Sequence, residues 1–331
     1  MADVSFRHIG HCRNIRADRN FNQHRLTDAA FVFHSPFLFD LPTQMPRNIM
    51  LTIAYDGTKY CGWQVQPNGM TVQDRVENAI ERVTGVRTRV YCAGRTDSGV
   101  HAMGQVASFM TESKIKASQF RRGLQTYLPT DISIVQTAEV SPEFHATFSA
   151  IRKRYRYLIF DGPVLPPFLR NNVFRNRHPL DVAAMQRAIP HLLGTHDFRC
   201  FESSWPNKAT SIRTVMDVTI RRTPHWNIWN NDVAWQPTDA RPHDDPASPI
   251  ICFEIMADGF LYNMVRAIVG TLLDIGSGRK PPEHMASVIA SMARSNAGTT
   301  AEPQGLYLVQ VDYPEDHLTP PNDSAAPDEI V

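Results

Sequence analysis

The sequence predicts an α+β fold built from two consecutive βαββαβ units, the element order of ferredoxin-like domains. Two observations support this prediction. Strand-like runs and helix-like runs follow one another in this order, and the order occurs twice along the chain. The composition is that of a globular protein, with 42% hydrophobic residues and 34 Lys+Arg against 33 Asp+Glu. We therefore expect two α/β sandwiches fused through their sheets, with a central cleft.

The first unit is predicted over residues 47–150 and opens with a strand at 49–55. A helix follows that begins after Thr71, a residue type favoured at the N-cap, and ends at Gly85, a usual C-terminal stop. Its apolar residues recur at helical spacing, at Val72, Val76, Ala79, Ile80 and Val83. The remaining elements are strands near 87–92 and 104–110, a helix that carries Phe120, Leu124 and Leu128 and ends before Pro129, and a strand at 132–140.

The second unit is predicted over residues 151–313 and repeats the order with one added helix. Its elements are a strand at 154–160, a helix at 181–193, strands at 212–220 and 250–256, helices at 261–275 and 283–293, and a strand at 306–313. An insertion of 26 residues, 224–249, interrupts this unit and contains Trp226, Trp229 and Trp235. A connection of this length is usually functional or mobile. Its tryptophans are open to three interpretations: stacking on bases, a packed lid, or a dimer contact.

The two ends of the chain do not share this pattern. Residues 1–46 contain no lysine and lack sustained periodicity, so we expect an N-terminal extension outside the fold. Residues 314–331 contain five acidic residues, four prolines and no lysine or arginine, a composition typical of a disordered tail. Between positions 50 and 313 the chain carries 28 Lys+Arg and 24 Asp+Glu, a net charge of +4. The body of the protein is therefore moderately basic.

Several classes of function are disfavoured by motifs that the sequence lacks. Five widely spaced cysteines without a CxxC pair predict reduced thiols and no metal site, as in a cytoplasmic protein. No GxGxxG follows the first strand and no GxxxxGK[ST] occurs, so we expect no nucleotide cofactor. GxSxG and HExxH are also absent, which argues against hydrolase triads and zinc proteases. No apolar run approaches the roughly 18 residues of a bilayer span, so we expect no membrane association.

The segment 93–105 (AGRTDSGVHAMGQ) is the strongest candidate for chemistry. It lies between two predicted strands, and its three glycines permit tight turns and close approach of a ligand. Arg95 two residues before Asp97 suggests a charge-assisted pair that keeps the carboxylate ionised and oriented, as a nucleophile or a base requires. The alternative is an ordinary turn stabilised by the same ion pair.

The segment 152–157 (RKRYRY) combines four cations with two aromatic residues on one predicted strand. With a period of two, one face carries Arg152, Arg154 and Arg156, and the other carries Lys153, Tyr155 and Tyr157. Such a strand suits unpaired RNA, because cations neutralise phosphates and aromatic rings stack on bases. The candidates for contact with the RNA backbone are Arg152, Lys153, Arg154 and Arg156. The alternative is a solvated edge strand with its tyrosines in the core.

The segment 260–270 (FLYNMVRAIVG) predicts the start of a helix with an apolar stripe at Leu261, Met264, Val265 and Ile268. On pattern alone this stripe belongs to the core. Arg266 is the exception, because an arginine close to an apolar stripe usually has a carboxylate partner. Asp97 is a candidate for that partner.

Together, these segments resemble the tRNA pseudouridine synthase A family. The matching motifs occur in the family's order: YDGTKYCGWQ at 55–64, TVQDRVE at 71–77, AGRTDSGVHAMGQV at 93–106, FHATFSA at 144–150, RYRY at 154–157, GTHDF at 194–198, FLYNMVRAIVG at 260–270 and GLYLVQVDY at 305–313. The resemblance covers about 47–313 without the insertion. It implies the pseudouridine synthase fold, with the two ferredoxin-like halves fused around the cleft.

The resemblance implies isomerisation of uridine to pseudouridine at positions 38–40 of the tRNA anticodon stem and loop, by a homodimer without metal or organic cofactor. Asp97 falls on the catalytic aspartate, and Arg95 on the arginine that helps to position it and fills the space left by the flipped base. Tyr155 falls on the tyrosine stacked against the uracil, and Arg266 on the arginine that pairs with the aspartate. The aspartate either attacks the sugar or removes its C2′ proton.

The sequence departs from the family pattern at two places. Thr147 occupies a position where the family usually has arginine, which puts one phosphate or structural contact in question, and the insertion 224–249 is not typical.

Two alternative functions remain open, and one is a non-catalytic RNA-binding protein on the same fold. The combination of Asp97, Arg95 and Tyr155 argues against it, since a binder needs no carboxylate directed at an anionic ligand. The other alternative is a pseudouridine synthase that acts on another RNA.

Overall fold

The structure is a computed structural model that describes residues 46–67, 69–203, 210–223 and 247–319. Within these residues ten strands form one large mixed sheet, which confirms the predicted α+β class. The strands are β1 (Arg47–Tyr55), β2 (Tyr91–Cys92), β3 (His101–Thr111), β4 (Ile132–Val140), β5 (Arg152–Phe160), β6 (Phe174–Arg175), β7 (Gly194–Asp197), β8 (Ile212–Arg222), β9 (Ile250–Ala257) and β10 (Leu306–Asp312). The α-helices are α1 (Val72–Thr84), α2 (Ala117–Gln125), α3 (Val182–Ala188), α4 (Met264–Gly276), α5 (His284–Ser291) and α6 (Glu315–Leu318).

The two parts of the sheet meet at a narrow junction between β3 and β10. The strands follow the order β4-β1-β3-β10-β5-β9-β8-β7, with β2 paired to β3 and β6 paired to β5. The β3–β10 pairing is parallel and short, and it includes Tyr307 opposite His101. The two backbones approach closely here, since a Cβ at Gly104 would lie 2.4 Å from the Val309 carbonyl oxygen. The loop that precedes β3 therefore lies where the two parts of the sheet are joined.

Both predicted ends of α1 are confirmed. The Thr71 hydroxyl accepts a hydrogen bond from the Asp74 backbone N–H at 3.4 Å. Gly85 has a φ of 78°, a left-handed conformation that glycine adopts without steric penalty. Val76 and Ile80 on the inner face are fully buried. The amphipathic pattern of this helix thus places its apolar face in the core.

The hydrophobic clusters lie on both faces of β5. Tyr157 and Ile159 belong to the main core, which also contains the inner residues of the larger helices, whereas Leu158 and Phe160 belong to a smaller cluster. Because successive side chains of a strand point to opposite faces, the two clusters lie on opposite sides of the sheet. β5 lies between β10 and β9. It is therefore an interior strand covered on both faces, and not a solvated edge strand.

Most predicted elements are confirmed within a few residues, two differ in extent, and two short strands lie outside the prediction. The strand predicted near 87–92 is limited to Tyr91–Cys92. The helix predicted over 181–193 ends at Ala188 and continues as a 3-10 turn over Ile189–Leu192, where Pro190 has no backbone N–H for an α-helical bond. The short strands β6 and β7 escape sequence prediction because two to four residues show no periodicity.

The segments predicted at the chain ends lie largely outside the described residues. The expected N-terminal extension lies outside them apart from residue 46, as do the tryptophans of the insertion and the end of the acidic tail. The first residues of that tail differ from the prediction of disorder, because Glu315–Leu318 form the short helix α6. Glu315 and Asp316 stand in its first turn, where carboxylates stabilise the helix dipole. Of the helices described, none has the length and apolarity of a membrane span.

Candidate active site

The loop between β2 and β3, residues 93–100, is fixed by side chains from two neighbouring strands. The Gln105 amide of β3 donates to Gly94 O at 2.6 Å and accepts from Gly94 N at 3.4 Å, which continues the contacts between the two strands to Gly94, two residues beyond the end of β2. The Thr96 hydroxyl shares a hydrogen bond of 2.7 Å with the hydroxyl of Tyr55 at the end of β1. Gln105, Thr96 and Tyr55 are all buried. The backbone on either side of positions 95 and 97 is therefore held in place.

The segment 57–63 packs directly on this loop. Gly62 has a φ of 87°, and a Cβ there would lie 2.5 Å from the Thr96 carbonyl oxygen. The same oxygen accepts a hydrogen bond from Trp63 N at 3.0 Å, and the Trp63 side chain is buried. A side chain at Gly62 would displace the loop, which explains the glycine and tryptophan at the end of the motif at 55–64.

Asp97 lies in the turn of the β2–β3 loop, where its carbonyl accepts from Val100 N at 3.1 Å. Its side chain is 30% exposed, and Oδ2 is 3.2 Å from Arg266 Nη1. No hydrogen bond from the described residues reaches Oδ1. Burial raises the pKa of the Asp97 carboxyl above its ordinary value, and the positive charge of Arg266 opposes this effect. The carboxylate thus has one oxygen in an ion pair and the other available to a reacting atom.

Arg266 has the carboxylate partner that the sequence predicts for it. The side chain rises from the first turn of α4, and three acceptors hold its guanidinium. Nε donates to Ala301 O at 2.7 Å, and Nη1 donates both to Asn263 Oδ1 at 2.9 Å and to Asp97. The side chain is 16% exposed. The cation is therefore nearly buried and well oriented, with Asp97 as its charged partner.

Tyr155 brings an aromatic ring from β5 to the same loop. The residue is buried, and its ring packs edge-on against Phe260 with centroids 4.9 Å apart and an interplanar angle of 80°. A Cβ at Gly94 would lie 3.6 Å from the Tyr155 hydroxyl. Burial raises the pKa of Tyr155, and the charge of Asp97 acts in the same direction. The phenol is therefore neutral, and the ring is held rigidly beside the loop that carries Asp97.

The ion pair suggested between Arg95 and Asp97 is not formed. Arg95 is exposed, and it makes no hydrogen bond or ion pair with the other described residues. Instead, Arg266 reaches Asp97 from α4 and is its charged partner. Arg95 consequently presents its charge at the surface.

The four predicted contacts with RNA backbone divide into two kinds. Arg154 and Arg156 are buried, with Arg154 paired to Asp217 at 3.1 Å and Arg156 to Glu254 at 2.8 Å. The structure does not favour RNA contacts for these two, because their charges are paired inside the protein. Arg152 is 39% exposed and pairs with Asp312. Lys153 is partly exposed, and its ammonium donates to Ala93 O at 2.5 Å, at the start of the β2–β3 loop.

Sequence reasoning missed the residues that support the Asp97–Arg266 ion pair. Gln105 and Tyr55 fix the loop, and Asn263 contacts Arg266, although all three lie within the quoted motifs. The sequence contained one usable signal, since asparagine immediately before a helix tolerates unusual backbone conformations. Among the described residues no group of three or more His, Cys, Asp or Glu side chains is placed to hold a metal ion.

The arrangement is suited to chemistry by a single carboxylate. The contacts of Asp97 bring a cation and an aromatic ring close to it, but no second carboxyl group of the described chain. The geometry therefore does not support a mechanism in which two carboxyl groups act as general acid and general base. An ionised carboxylate with one free oxygen can attack an electrophilic carbon or remove a proton.

Comparison with known proteins gives the family. The sequence model of the family described as tRNA pseudouridine synthase matches residues 51–149 and 188–314. The protein named tRNA pseudouridine synthase A from Acetivibrio thermocellus is 44% identical over 267 residues, which is 81% of this chain and 100% of the relative. The chain belongs to the tRNA pseudouridine synthase family. Proteins of the same name from Caldicellulosiruptor saccharolyticus and a Geobacter species are 43% and 40% identical over 267 and 270 residues, with the same coverage.

Membership in the tRNA pseudouridine synthase family confirms the resemblance drawn from the motifs. The matched ranges contain Arg95, Asp97 and Arg266, whereas Tyr155 lies between them. Thr147, the departure from the family pattern, donates from its hydroxyl to Cys92 O at 2.6 Å. This residue therefore supports the end of β2, from which the β2–β3 loop begins.

Proposed function

We propose that this chain converts uridine to pseudouridine at positions 38–40 of the tRNA anticodon stem and loop, with Asp97 as the catalytic residue. The observation that carries the proposal is the Asp97–Arg266 pair, in which Oδ2 is engaged and Oδ1 has no partner among the described residues. The substrate is supported by the names of the relatives, which are tRNA pseudouridine synthases. The positions in tRNA are supported by the family resemblance.

The chemistry requires little beyond a carboxylate and a bound base. The bond between N1 and C1′ breaks, the uracil turns, and C5 joins C1′. The proton lost from C5 is balanced by the proton gained at N1, so the reaction is an isomerisation. Asp97 assists either by attacking the sugar or by removing its C2′ proton, and both routes need the ionised carboxylate. Partial burial raises its pKa, which increases its basicity, while Arg266 keeps the anion accessible.

Two side chains are proposed to handle the base. The target must leave its stack before Asp97 can reach its sugar. Tyr155 is proposed to stack against the detached uracil, supported by a ring that Phe260 fixes beside the loop. Arg95 is proposed to fill the space left in the RNA, supported by its exposure and its position two residues from Asp97.

Contacts with the phosphate backbone are proposed for Lys153 and Arg152 only. Lys153 is favoured because its ammonium lies at the β2–β3 loop, close to the carbonyl of Ala93. Arg152 is favoured by its exposure. Such contacts position the RNA and weaken as salt concentration rises.

The architecture is proposed to consist of two ferredoxin-like halves. The support is that each half places its first strand between its fourth and its third, with the second strand beside the third. In the first half this gives β4-β1-β3 with β2 next to β3, and in the second half it gives β10-β5-β9-β8. A homodimer and a cytoplasmic location complete the proposal, the first from the family resemblance and the second from the tRNA substrate.

The experiment is to incubate the purified chain with unmodified tRNA transcripts and to map pseudouridine by base-specific chemical modification. We expect pseudouridine at positions 38–40 wherever these are uridine, and no signal in transcripts that carry cytidine there. Modification confined to other positions would refute the proposed site. Tight tRNA binding without any pseudouridine would favour the alternative of a non-catalytic RNA-binding protein. Conversion of an unrelated RNA alone would favour a pseudouridine synthase that acts on another RNA.

A further inference from the structure

We propose that Asn263 is a positioning residue that holds Arg266 in its pairing geometry with Asp97. Asn263 directly precedes α4 and has a φ of 62°, in the left-handed region. Among the described residues other than glycine, only Met292, with a φ of 51°, shares this conformation. Backbones in this region persist where the surroundings stabilise them, and they concentrate at functional sites. The side chain of Asn263 shows what stabilises it here.

Both ends of the Asn263 amide are hydrogen-bonded. Oδ1 accepts from Arg266 Nη1 at 2.9 Å, and Nδ2 donates to Ser203 Oγ at 2.9 Å. The guanidinium only donates, so the amide oxygen faces Arg266, and the Ser203 hydroxyl accepts from the amide nitrogen on the other side. In a helical conformation the residue would start α4 earlier, and its side chain would be directed differently. The left-handed backbone is therefore the means by which the oxygen reaches Arg266.

The contact determines which hydrogen of Nη1 remains for Asp97. Nη1 carries two hydrogens, one directed to Asn263 Oδ1 at 2.9 Å and the other to Asp97 Oδ2 at 3.2 Å. Without Asn263 the guanidinium keeps the Ala301 carbonyl as its anchor at Nε, and it can rotate about that bond. The pair with Asp97 would then lengthen, so the effect of Asn263 reaches the carboxylate through Arg266.

The inference rests on the proposed catalytic role of Asp97, and it makes a prediction about pH. The charged and titratable groups that face Asp97 are Arg266 from α4 and Tyr155 from β5, and Arg95 lies on its own loop. Arg266 is the group that opposes the effect of burial on this carboxyl. If Arg266 is displaced, the pKa of the Asp97 carboxyl rises further. As the pH is lowered, activity should then be lost at a higher pH than in the wild type.

The decisive variant is Asn263→Gly, with Met292→Gly as its matched control. Glycine tolerates the left-handed backbone, so Asn263→Gly keeps the chain path and removes only the amide. Met292 lies at the end of α5, is 52% exposed, and is placed nowhere in the site. The two variants therefore make the same backbone change, and only one removes a contact with Arg266. Ser203→Ala is a second test that leaves α4 untouched and removes the acceptor that holds the amide nitrogen of Asn263.

The assay measures single-turnover rate and KM on a tRNA substrate across pH, with melting temperature as a check on folding. We expect Asn263→Gly to lower kcat on the order of 10- to 100-fold. The acid limb of its pH profile should move up by about 0.5 to 1 pH unit, with little change in KM. Ser203→Ala should show a smaller change in the same direction. Met292→Gly should keep the wild-type rate and pH profile.

The outcomes separate this inference from the proposed function. Wild-type rate and acid limb in Asn263→Gly would overturn the positioning role. A lower melting temperature with an unchanged pH profile and rate per folded molecule would also overturn it, because the role would then be structural. Asp97→Asn is measured in parallel, since activity in that variant would refute the proposed catalytic residue itself.

Discussion

Two arginine–carboxylate pairs in this protein have the same chemistry and different surroundings. Arg156 and Glu254 face each other across β5 and β9 at 2.8 Å, with side chains only 3% and 5% exposed. Arg266 and Asp97 meet at 3.2 Å with side chains 16% and 30% exposed. The first pair is enclosed by the sheet, and the second leaves a carboxylate oxygen available. The difference teaches that the two pairs are distinguished by access to the carboxylate and not by the presence of an ion pair, and the proposed function assigns the reaction to the accessible one.

The largest effect is expected on stability, from Arg156→Met. The substitution leaves Glu254 buried without its close partner, and Arg221 at 3.9 Å compensates only in part. Removing one member of a buried pair typically costs 3–5 kcal/mol, so we expect a loss of about 3 kcal/mol in the free energy of unfolding. Urea unfolding measures it. The rate per folded molecule should stay near the wild-type value. A specific loss of catalysis would contradict a purely structural role for the Arg156–Glu254 pair.

The next effect is expected on catalysis, from Arg266→Gln. The amide is neutral and cannot supply the donors that now reach Ala301, Asn263 and Asp97 together. We expect kcat to fall about 100-fold, which corresponds to about 2.7 kcal/mol of activation free energy. Single-turnover conversion of tRNA measures the change. A rate close to the wild type, with a large loss of stability instead, would show that Arg266 stabilises the fold and does not act in the reaction.

The third effect is on pH dependence. Burial raises the pKa of Asp97, so the acid limb of kcat/KM should lie above about 3.9, the ordinary value for aspartate. In the proposed function the ionised carboxylate is the active form, so activity should be present above this limb and lost as pH falls through it. In Arg266→Gln the limb should move to still higher pH, because the opposing charge is gone. A limb that stays in place would show that Arg266 does not act on this carboxyl.

The smallest effect is expected from Arg152→Met. Its pair with Asp312 is partly exposed, so solvent screens it and the free energy of unfolding should change by less than about 1 kcal/mol. Affinity for tRNA should fall a few-fold at low salt, with kcat unchanged, if the side chain contacts phosphate. This variant is also the matched control for Arg156→Met, since the same substitution is made on the same strand. Equal destabilisation by both would remove the distinction between buried and exposed pairs.

The sequence predicted what depends on local pattern. The ends of α1 follow from Thr71 and Gly85, and the partner of Arg266 follows from the cost of an unpaired cation beside an apolar stripe. The same reasoning did not predict that Arg154 and Arg156 are buried in ion pairs. A period of two tells which side chains share a face, but it does not tell whether distant parts of the chain cover that face.

The supporting contacts of the site were beyond sequence reasoning for a related reason. Arg95 is close to Asp97 along the chain, yet the partner comes from a helix 169 positions away. Asn263 combines a left-handed conformation with contacts to Ser203 and Arg266, which no local pattern encodes. Residues that orient other residues are visible only once the fold has brought them together.

One measurement tests most directly whether Asp97, and not the enclosed pair, carries the reaction. Asp97→Asn and Glu254→Gln each replace a carboxylate with an amide of nearly the same shape. Both are compared with wild type in single-turnover conversion of tRNA, at a temperature where circular dichroism shows all three folded. We predict no detectable pseudouridine with Asp97→Asn and a rate within a few-fold of wild type with Glu254→Gln. Conversion by Asp97→Asn at the wild-type rate would contradict the assignment.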